Sequence, residues 1–411
     1  MKELKIIELF AGVGSQTQAL KNIGIPYKVV AIIEIDKHAL KSYSALHLNG
    51  DENLLNKLNL GDITKITQLP SADLWTYSFP CQDLSVASHT KLGLKGKRSG
   101  LLYEVERLLK IAQIEKSLPK YLLLENVKNL VSKNNICDYY KWITFLTSLG
   151  YKNFWKVINA KDYLPQNRER VFCVSILQDE VDNDFVFSNS LKRTTKLSDF
   201  LEKTVDEKYY LKRSSFDSIL NSNYNSTRCI CQTKDYCRTL TARDFHSPAV
   251  VLTGNLDARI LNLLLKMTDI KRGGVKLCQI KEPIIVAQRG RNLENQSDRT
   301  SGIKTIQCFE PNYKGICNTL TTVQKDNFVC EFLAKNAYTV QEIFEGLSLR
   351  KLTEREYWRL MGWKDEQIDK LKNAKIFKSQ MYRQAGNGIV LPILESIFAQ
   401  LFAVNELTNA A

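Results

Sequence analysis

Through residue 178 the chain alternates short solid apolar runs with helix-spaced apolar stripes. Lys5–Leu9, Val29–Ile33, Leu74–Tyr77, Tyr121–Leu124 and Val171–Ile176 are the short runs, which read as buried strands. Between them, Thr17–Ile23 and Lys37–Leu48 have helical character. Leu101–Ile114 carries apolar residues at 101, 102, 105, 108, 109 and 112, one face of a helix. Repeated βα units predict an α/β fold with a doubly wound, mostly parallel sheet. From about residue 186 the rhythm stops and Asn, Ser, Thr and Lys become dense. Helical pattern returns near Thr353–Met361 and Leu391–Phe402. The expected organisation is a doubly wound α/β domain, 1–188 plus 378–411, interrupted by a smaller, irregular, β-rich domain at 189–377.

Composition narrows the class. The 411 residues suffice for such a pair of domains. The opening segment has no signal-peptide character, and no apolar run is long enough to span a bilayer, so a cytoplasmic setting is expected. Ten cysteines scattered along the chain suit reduced thiols better than a disulfide framework. Net charge is +14, with a basic surplus in 221–330 that fits phosphate contacts. A solvated basic face explains that charge equally well.

The chemistry collects where strands end, which is where open α/β sheets hold ligands. Phe10-Ala11-Gly12-Val13-Gly14 follows the first strand and opens a helix. Its glycines let backbone approach a ligand, although it lacks the third glycine of a full dinucleotide fingerprint and suits a nicotinamide enzyme as well. Glu34 ends the second strand, where a carboxylate commonly binds ribose hydroxyls. Gly61-Asp62-Ile63 offers another acid at an expected strand end. Ser78-Phe79-Pro80-Cys81-Gln82 follows Leu74–Tyr77 and offers a thiol as candidate nucleophile. Glu125 follows Tyr121–Leu124 on the same rim and is a candidate proton carrier. Arg168 and Arg170, two residues apart before Val171–Ile176, present fixed positive charge on one side of an extended segment. Cys229, Cys231, Cys237 and His246 lack the spacing of a zinc site, so no metal is expected.

Taken together and in this order, the segments resemble those of the DNA (cytosine-5)-methyltransferase family. Arg98-Ser99-Gly100-Leu101-Leu102, Glu125-Asn126-Val127, Gln166-Asn167-Arg168-Glu169-Arg170, Arg350-Lys351-Leu352-Thr353-Glu354-Arg355-Glu356 and Gln384-Ala385-Gly386-Asn387-Gly388 complete the series. The chain departs from the family pattern at Ser15, where a glycine is frequent, at Leu84, where an aromatic is common, and at Glu354, where proline is frequent.

The resemblance implies a fold, a cofactor and a reaction. The Rossmann-like domain would bind S-adenosylmethionine through Phe10, Ala11, Gly12, Gly14, Glu34, Asp62, Ile63, Pro80 and Asn387. Cys81 would add to C6 of a cytosine flipped from duplex DNA. Glu125 would act at N3, and Arg168 and Arg170 would steady the base. Ser85–Arg98, glycine- and lysine-rich, would be a lid over DNA. Arg238, Arg243, Arg289, Arg291, Arg299 and the Thr319–Leu320 pair are the candidate DNA readers, with Thr239–Leu240 competing for the Thr-Leu role. A monomer acting in a restriction–modification system, alongside an endonuclease that shares its site without stable association, is the expected context. A tRNA cytosine-5 methyltransferase or an inactive DNA-binding protein are the alternatives. The large basic insertion weighs against the first and the intact Cys81, Glu125 and arginines against the second. A dehydrogenase explains only the first loop.

Overall fold

A computed structural model describes residues 2–80, 99–178, 185–188, 193–210, 284–292, 305–312, 328–332 and 347–402. The chain forms two compact units. The first comprises Met1–Tyr163, Arg168–Thr194 and Met361–Ala411; the second comprises Leu164–Asn167 and Thr195–Leu360. The C-terminal return to the first unit thus begins at Met361.

The first unit is built on β1 (Leu4–Leu9), β2 (Tyr27–Ile33), β3 (Leu74–Tyr77), β4 (Tyr121–Val127), β5 (Tyr151–Asn159) and β6 (Glu169–Leu177). They form one six-stranded sheet in the order β2-β1-β3-β4-β6-β5. The pairs β1–β2, β1–β3 and β3–β4 are parallel, as continuous apolar runs flanked by helices predict. β6 is the exception, antiparallel to both β4 and β5. The chain leaves β1 in opposite directions toward β2 and β3. The rim there is the topological switch point at which such sheets bind ligands.

Helices α1 (Ser15–Asn22), α2 (Lys37–His47), α3 (Glu52–Leu58), α4 (Leu102–Ile114) and α5 (Ile136–Ser148) connect or cover the strands. The expected stripe of α4 buries Val105, Leu108, Leu109 and Ala112 against Trp75, Tyr77, Leu122 and Leu124 of the sheet, with Tyr139, Trp142 and Leu146 of α5 in the same core. Fully burying each leucine of this stripe contributes about 1.5–3 kcal/mol. Gly61–Ile63 does not end a strand. Asn59 makes only an isolated bridge to Ile32, and Asp62 caps a short 3-10 turn, Ile63–Lys65, by accepting from Thr64 N.

The second unit holds a four-stranded sheet, β10-β9-β7-β8, from β7 (Ile284–Asn292), β8 (Thr305–Asn312), β9 (Phe328–Phe332) and β10 (Leu347–Lys351). All its pairings are antiparallel. β10 leads into α6 (Glu354–Arg359), started by a reciprocal capping box between Thr353 and Glu356. Arg350, 1% exposed, forks onto Glu356 at 2.9 and 3.0 Å. Glu356 also accepts from the Glu202 and Thr353 amides at 2.8 Å, and Gln166 donates to Leu360 O at 2.6 Å. The buried charge is therefore paired and its lone pairs are used. The returning chain adds α7 (Asp365–Asn373), α8 (Lys378–Asn387) and α9 (Leu391–Leu401) to the first unit. Among the described residues no helix is long and apolar enough to cross a membrane.

Candidate active site

The turn after β1 is a run of left-handed backbone. Phe10, Gly12 and Gly14 have φ of 58°, 57° and 74°. Such a φ is unusual for a phenylalanine and marks a conformation held by its surroundings. Gly12 N donates to Glu34 Oε2 at 2.9 Å. The other Glu34 oxygen accepts from the Ile35 and Asp36 amides at 2.8 and 2.7 Å. The Glu34 carboxylate is thereby fixed at the end of β2, beside the glycine turn. Ile35 next to it is 72% exposed, an apolar platform between two acids. A Cβ built on Gly12 meets nothing within 4 Å, so open space lies against this stretch of backbone.

Behind the turn the packing is tight. A Cβ on Gly14 would lie 2.5 Å from His47 Nε2 and 2.7 Å from Tyr43 Cε2. His47 Nε2 lies 2.9 Å from Val13 O, so Nε2 carries the proton and donates. Burial pulls His47 down from 6.5 to about 4. Beneath it, buried Glu8 accepts from Tyr43 Oη at 2.7 Å and Thr17 N at 3.0 Å. Desolvation raises the Glu8 pKa despite those bonds. The loop is thus open toward one side and locked on the other. Asp62 lies on the exposed 3-10 turn, its pKa lowered by the Thr64 amide and hydroxyl.

The second cluster sits at the carboxyl end of β4. Glu125, 8% exposed, pairs with Arg170 Nε at 3.3 Å. Val127 of β4 is opposite Arg170 of β6 in the register. The contact exists because β6 runs backwards: its first residues arrive at the rim where β4 ends. Desolvation raises the Glu125 pKa, opposed by Arg170, Arg168 and Ser78 in that order. The side chain of Asn126 donates to Phe79 O at 3.0 Å, tying the segment that leads into Cys81 to the strand end bearing Glu125. Pro80 is the last described residue of that segment. Cys81, Ser85 and Arg98 lie outside the described residues, as do Arg238, Arg243, Arg299, Thr239–Leu240 and Thr319–Leu320. Arg289 and Arg291 are on β7 of the second unit.

Arg168, 2% exposed, also draws down the Glu125 carboxyl, though less than Arg170 does, but its terminal nitrogen is held elsewhere. Its Nη2 donates to Gly386 O at 3.0 Å and Gly388 O at 2.8 Å, flanking exposed Asn387 at the end of α8. Sequence reasoning did not single out Ile35, Asn126 as a tether, or His47 and Tyr43 behind the loop. An isoleucine between two acids at a strand end was the available signal for the first. The others depend on contacts between distant segments.

An open α/β sheet with a glycine turn, a strand-end carboxylate and a second acid–arginine pair on one rim is the layout of a Rossmann-like domain that binds a nucleotide-like cofactor. The chain matches the model of the C-5 cytosine-specific DNA methylase family over residues 4–403 and belongs to that family. It is 32% identical to the type II methyltransferase M2.ScrFI of Lactococcus lactis subsp. cremoris, with 97% of this chain and 99% of that protein covered. It is 28% identical to the orphan methyltransferase M.SPRI of Bacillus phage SPR, over 98% of each. Among solved structures, the Dnmt2 methyltransferase of S. pombe resembles it with a TM-score of 0.60 at 18% identity, covering 98% of this chain and 100% of that one. That likeness is one of fold. The chain is accordingly a DNA cytosine-5 methyltransferase, and its fold class implies methylation dependent on S-adenosylmethionine.

Proposed function

We propose that this enzyme methylates C5 of one cytosine within a short, specific duplex sequence, through covalent addition of Cys81 to C6 of a base flipped out of the helix. The observation that carries the reading is the Glu125–Arg170 pair beside the Asn126–Phe79 tether. It supports an acid that holds a proton, a fixed cation and an incoming nucleophile segment on one rim.

The residues present fit S-adenosylmethionine. Glu34 would take the ribose hydroxyls, with both oxygens already oriented by amides. Exposed Ile35 and Phe10 would flank the adenine, Asp62 and Ile63 its amine edge, and Pro80 the same pocket wall. The space over Ala11, Gly12 and Gly14 would admit the methionine part, closed by Asn387. When bound, the cofactor supplies an electrophilic methyl on a sulfonium.

Cytosine C5 is a weak nucleophile. Attack of the Cys81 thiolate at C6 makes C5 enamine-like while N3 gains a proton. Glu125, made more basic by burial, would hold that proton at N3. Arg170, fixed against Glu125, would steady the base O2. After methyl transfer, N3 returns its proton to Glu125 and a water takes the C5 proton, so that the double bond re-forms and Cys81 leaves as thiolate.

The second unit would read the target, with Arg289, Arg291, Arg238 and Arg243 as base or phosphate contacts and the Thr319–Leu320 pair as a further reader. Protection of host DNA beside a paired endonuclease fits relatives named as type II methyltransferases. Relatives named as orphan methyltransferases fit a chain with no paired endonuclease. The test is expression in a methylation-free host followed by bisulfite sequencing. Protected cytosines in one short recurrent context are expected. Uniform conversion with folded protein present would overturn the reading.

A further inference from the structure

Arg168 and Arg170 stand two residues apart and would be assigned one job by position. Both charges act on Glu125, but Arg170 Nε and Arg168 Nη2 are held by different groups. Arg170 turns to Glu125 at 3.3 Å. Arg168 gives one terminal nitrogen to Gly386 O and Gly388 O, at 3.0 and 2.8 Å. Those carbonyls lie on either side of Asn387 at the C-terminus of α8. The last carbonyls of a helix lack intrahelical donors and carry its negative end. A buried guanidinium is therefore a strong anchor there. Gly388 is itself folded back, its amide donating to Gln384 O at 2.8 Å, and a Cβ at Gly388 would meet that oxygen at 3.2 Å.

Farther back, α8 is bound to α2. Gln384 accepts from Ser42 Oγ at 2.9 Å and donates to His38 O at 3.0 Å. Arg383 reaches Asp36 at 2.8 Å, two residues beyond Glu34. So α8 is strung between the helix that follows the Glu34 carboxylate and the arginine segment that leads into β6.

We infer that Arg168 is a positioning residue for the cofactor end of the site: it fixes the peptide bearing Asn387, and α8 carries that constraint to the Glu34 side. This rests on the cofactor reading given above. Arg168 thus serves cofactor affinity, and Arg170 the base.

The experiment measures binding of S-adenosylhomocysteine by calorimetry, and steady-state kcat and cofactor KM on duplex DNA. Wild type is compared with Arg168→Met, Arg168→Lys and Gln384→Leu. Arg168→Met is expected to weaken S-adenosylhomocysteine about tenfold to hundredfold, and to raise cofactor KM in step. Its loss in kcat at saturating cofactor should be smaller than its rise in cofactor KM. Arg168→Lys, which keeps one donor for the carbonyls, should recover part of the loss. Gln384→Leu should weaken the cofactor in the same sense from the other end of α8. Unchanged S-adenosylhomocysteine affinity with a collapsed kcat would overturn the inference and return Arg168 to the base. If Arg168→Met does not fold, the lysine and Gln384→Leu variants decide by the same criteria. A wild-type protein that fails to bind S-adenosylhomocysteine would instead sink the cofactor reading itself.

Discussion

Two alanine substitutions two residues apart should separate folding from binding. Gly12 and Gly14 both have left-handed φ, 57° and 74°, so either alanine costs roughly 1–2 kcal/mol of backbone strain. At Gly12 that is the whole penalty to folding, because nothing lies within 4 Å of the new Cβ. At Gly14 the Cβ would press to 2.5 Å of His47 Nε2 and 2.7 Å of the Tyr43 ring. Both side chains are held, His47 by Val13 O and Tyr43 by Glu8. Overpacking adds about 1–3 kcal/mol, and displacing the His47 bond from a shielded carbonyl about 1–2 kcal/mol more. The Gly14→Ala total is then roughly 3–7 kcal/mol, a large share of the 5–15 kcal/mol or so that holds an ordinary domain. Binding should show the reverse order. The Gly12 methyl enters the space proposed for the cofactor, weakening S-adenosylhomocysteine about tenfold. Urea denaturation followed by tryptophan fluorescence reads the first effect, and calorimetry the second. Equal stability of the two variants, or wild-type affinity in Gly12→Ala, would refute the picture of a loop open on one side and locked on the other.

Cys81→Ser should abolish methyl transfer and leave duplex binding intact; turnover in that variant, measured with labelled cofactor, would remove the covalent mechanism. Glu125→Gln should lower turnover about 10²- to 10⁴-fold. Burial raises the Glu125 pKa, so its protonated form is favoured by the fold, and that contribution fades as pH rises through the raised value. A glutamine escapes the penalty, so thermal melts should show the variant gaining on wild type between acid and neutral pH; a growing deficit would mean that the Arg170 pairing outweighs burial. For His47 the sign is reversed in pH. Drawn down from 6.5 to about 4, it is neutral when folded, so stability present above about pH 6.5 drains as pH falls toward 4, on the order of 3 kcal/mol in all. His47→Phe should flatten that slope in urea titrations, and an unchanged slope would assign it elsewhere. Glu356→Ala, which strands buried Arg350, should cost the second unit about 3–5 kcal/mol, read as an earlier denaturant midpoint for that unit; a shift under about 1 kcal/mol, the range of exposed pairs, would show that the pair is not effectively buried.

The rim itself was legible because strand ends are local facts. An apolar run followed by a glycine turn or an acid reads the same in sequence and in structure, and β1, β2, β3 and β4 fall within a few residues of their expected spans. What the pattern did not contain was direction. Val171–Ile176 reads as a strand whichever way it runs, yet only an antiparallel β6 sets Arg170 beside Glu125, across the Val127–Arg170 register. A parallel strand would carry both arginines to the opposite edge of the sheet. Alternation likewise gave Arg168 and Arg170 one role, since an extended segment points i and i+2 the same way. The helix end that meets Arg168 comes from the far C-terminus, where Gly386-Asn387-Gly388 shows only that a helix stops. Asp62 fails as a strand-end acid for a related reason. The turn that displays it is set by the Asn59–Ile32 bridge and its own cap on Thr64, contacts too short to leave an apolar run. Sequence therefore names the candidate groups, while the contacts that distinguish them depend on strand direction and on the return of α8. It follows that swapping Arg168 and Arg170 roles by mutation at those two positions alone should fail, because the acceptors that distinguish them, the Gly386 and Gly388 carbonyls and the Glu125 carboxylate, belong to other segments.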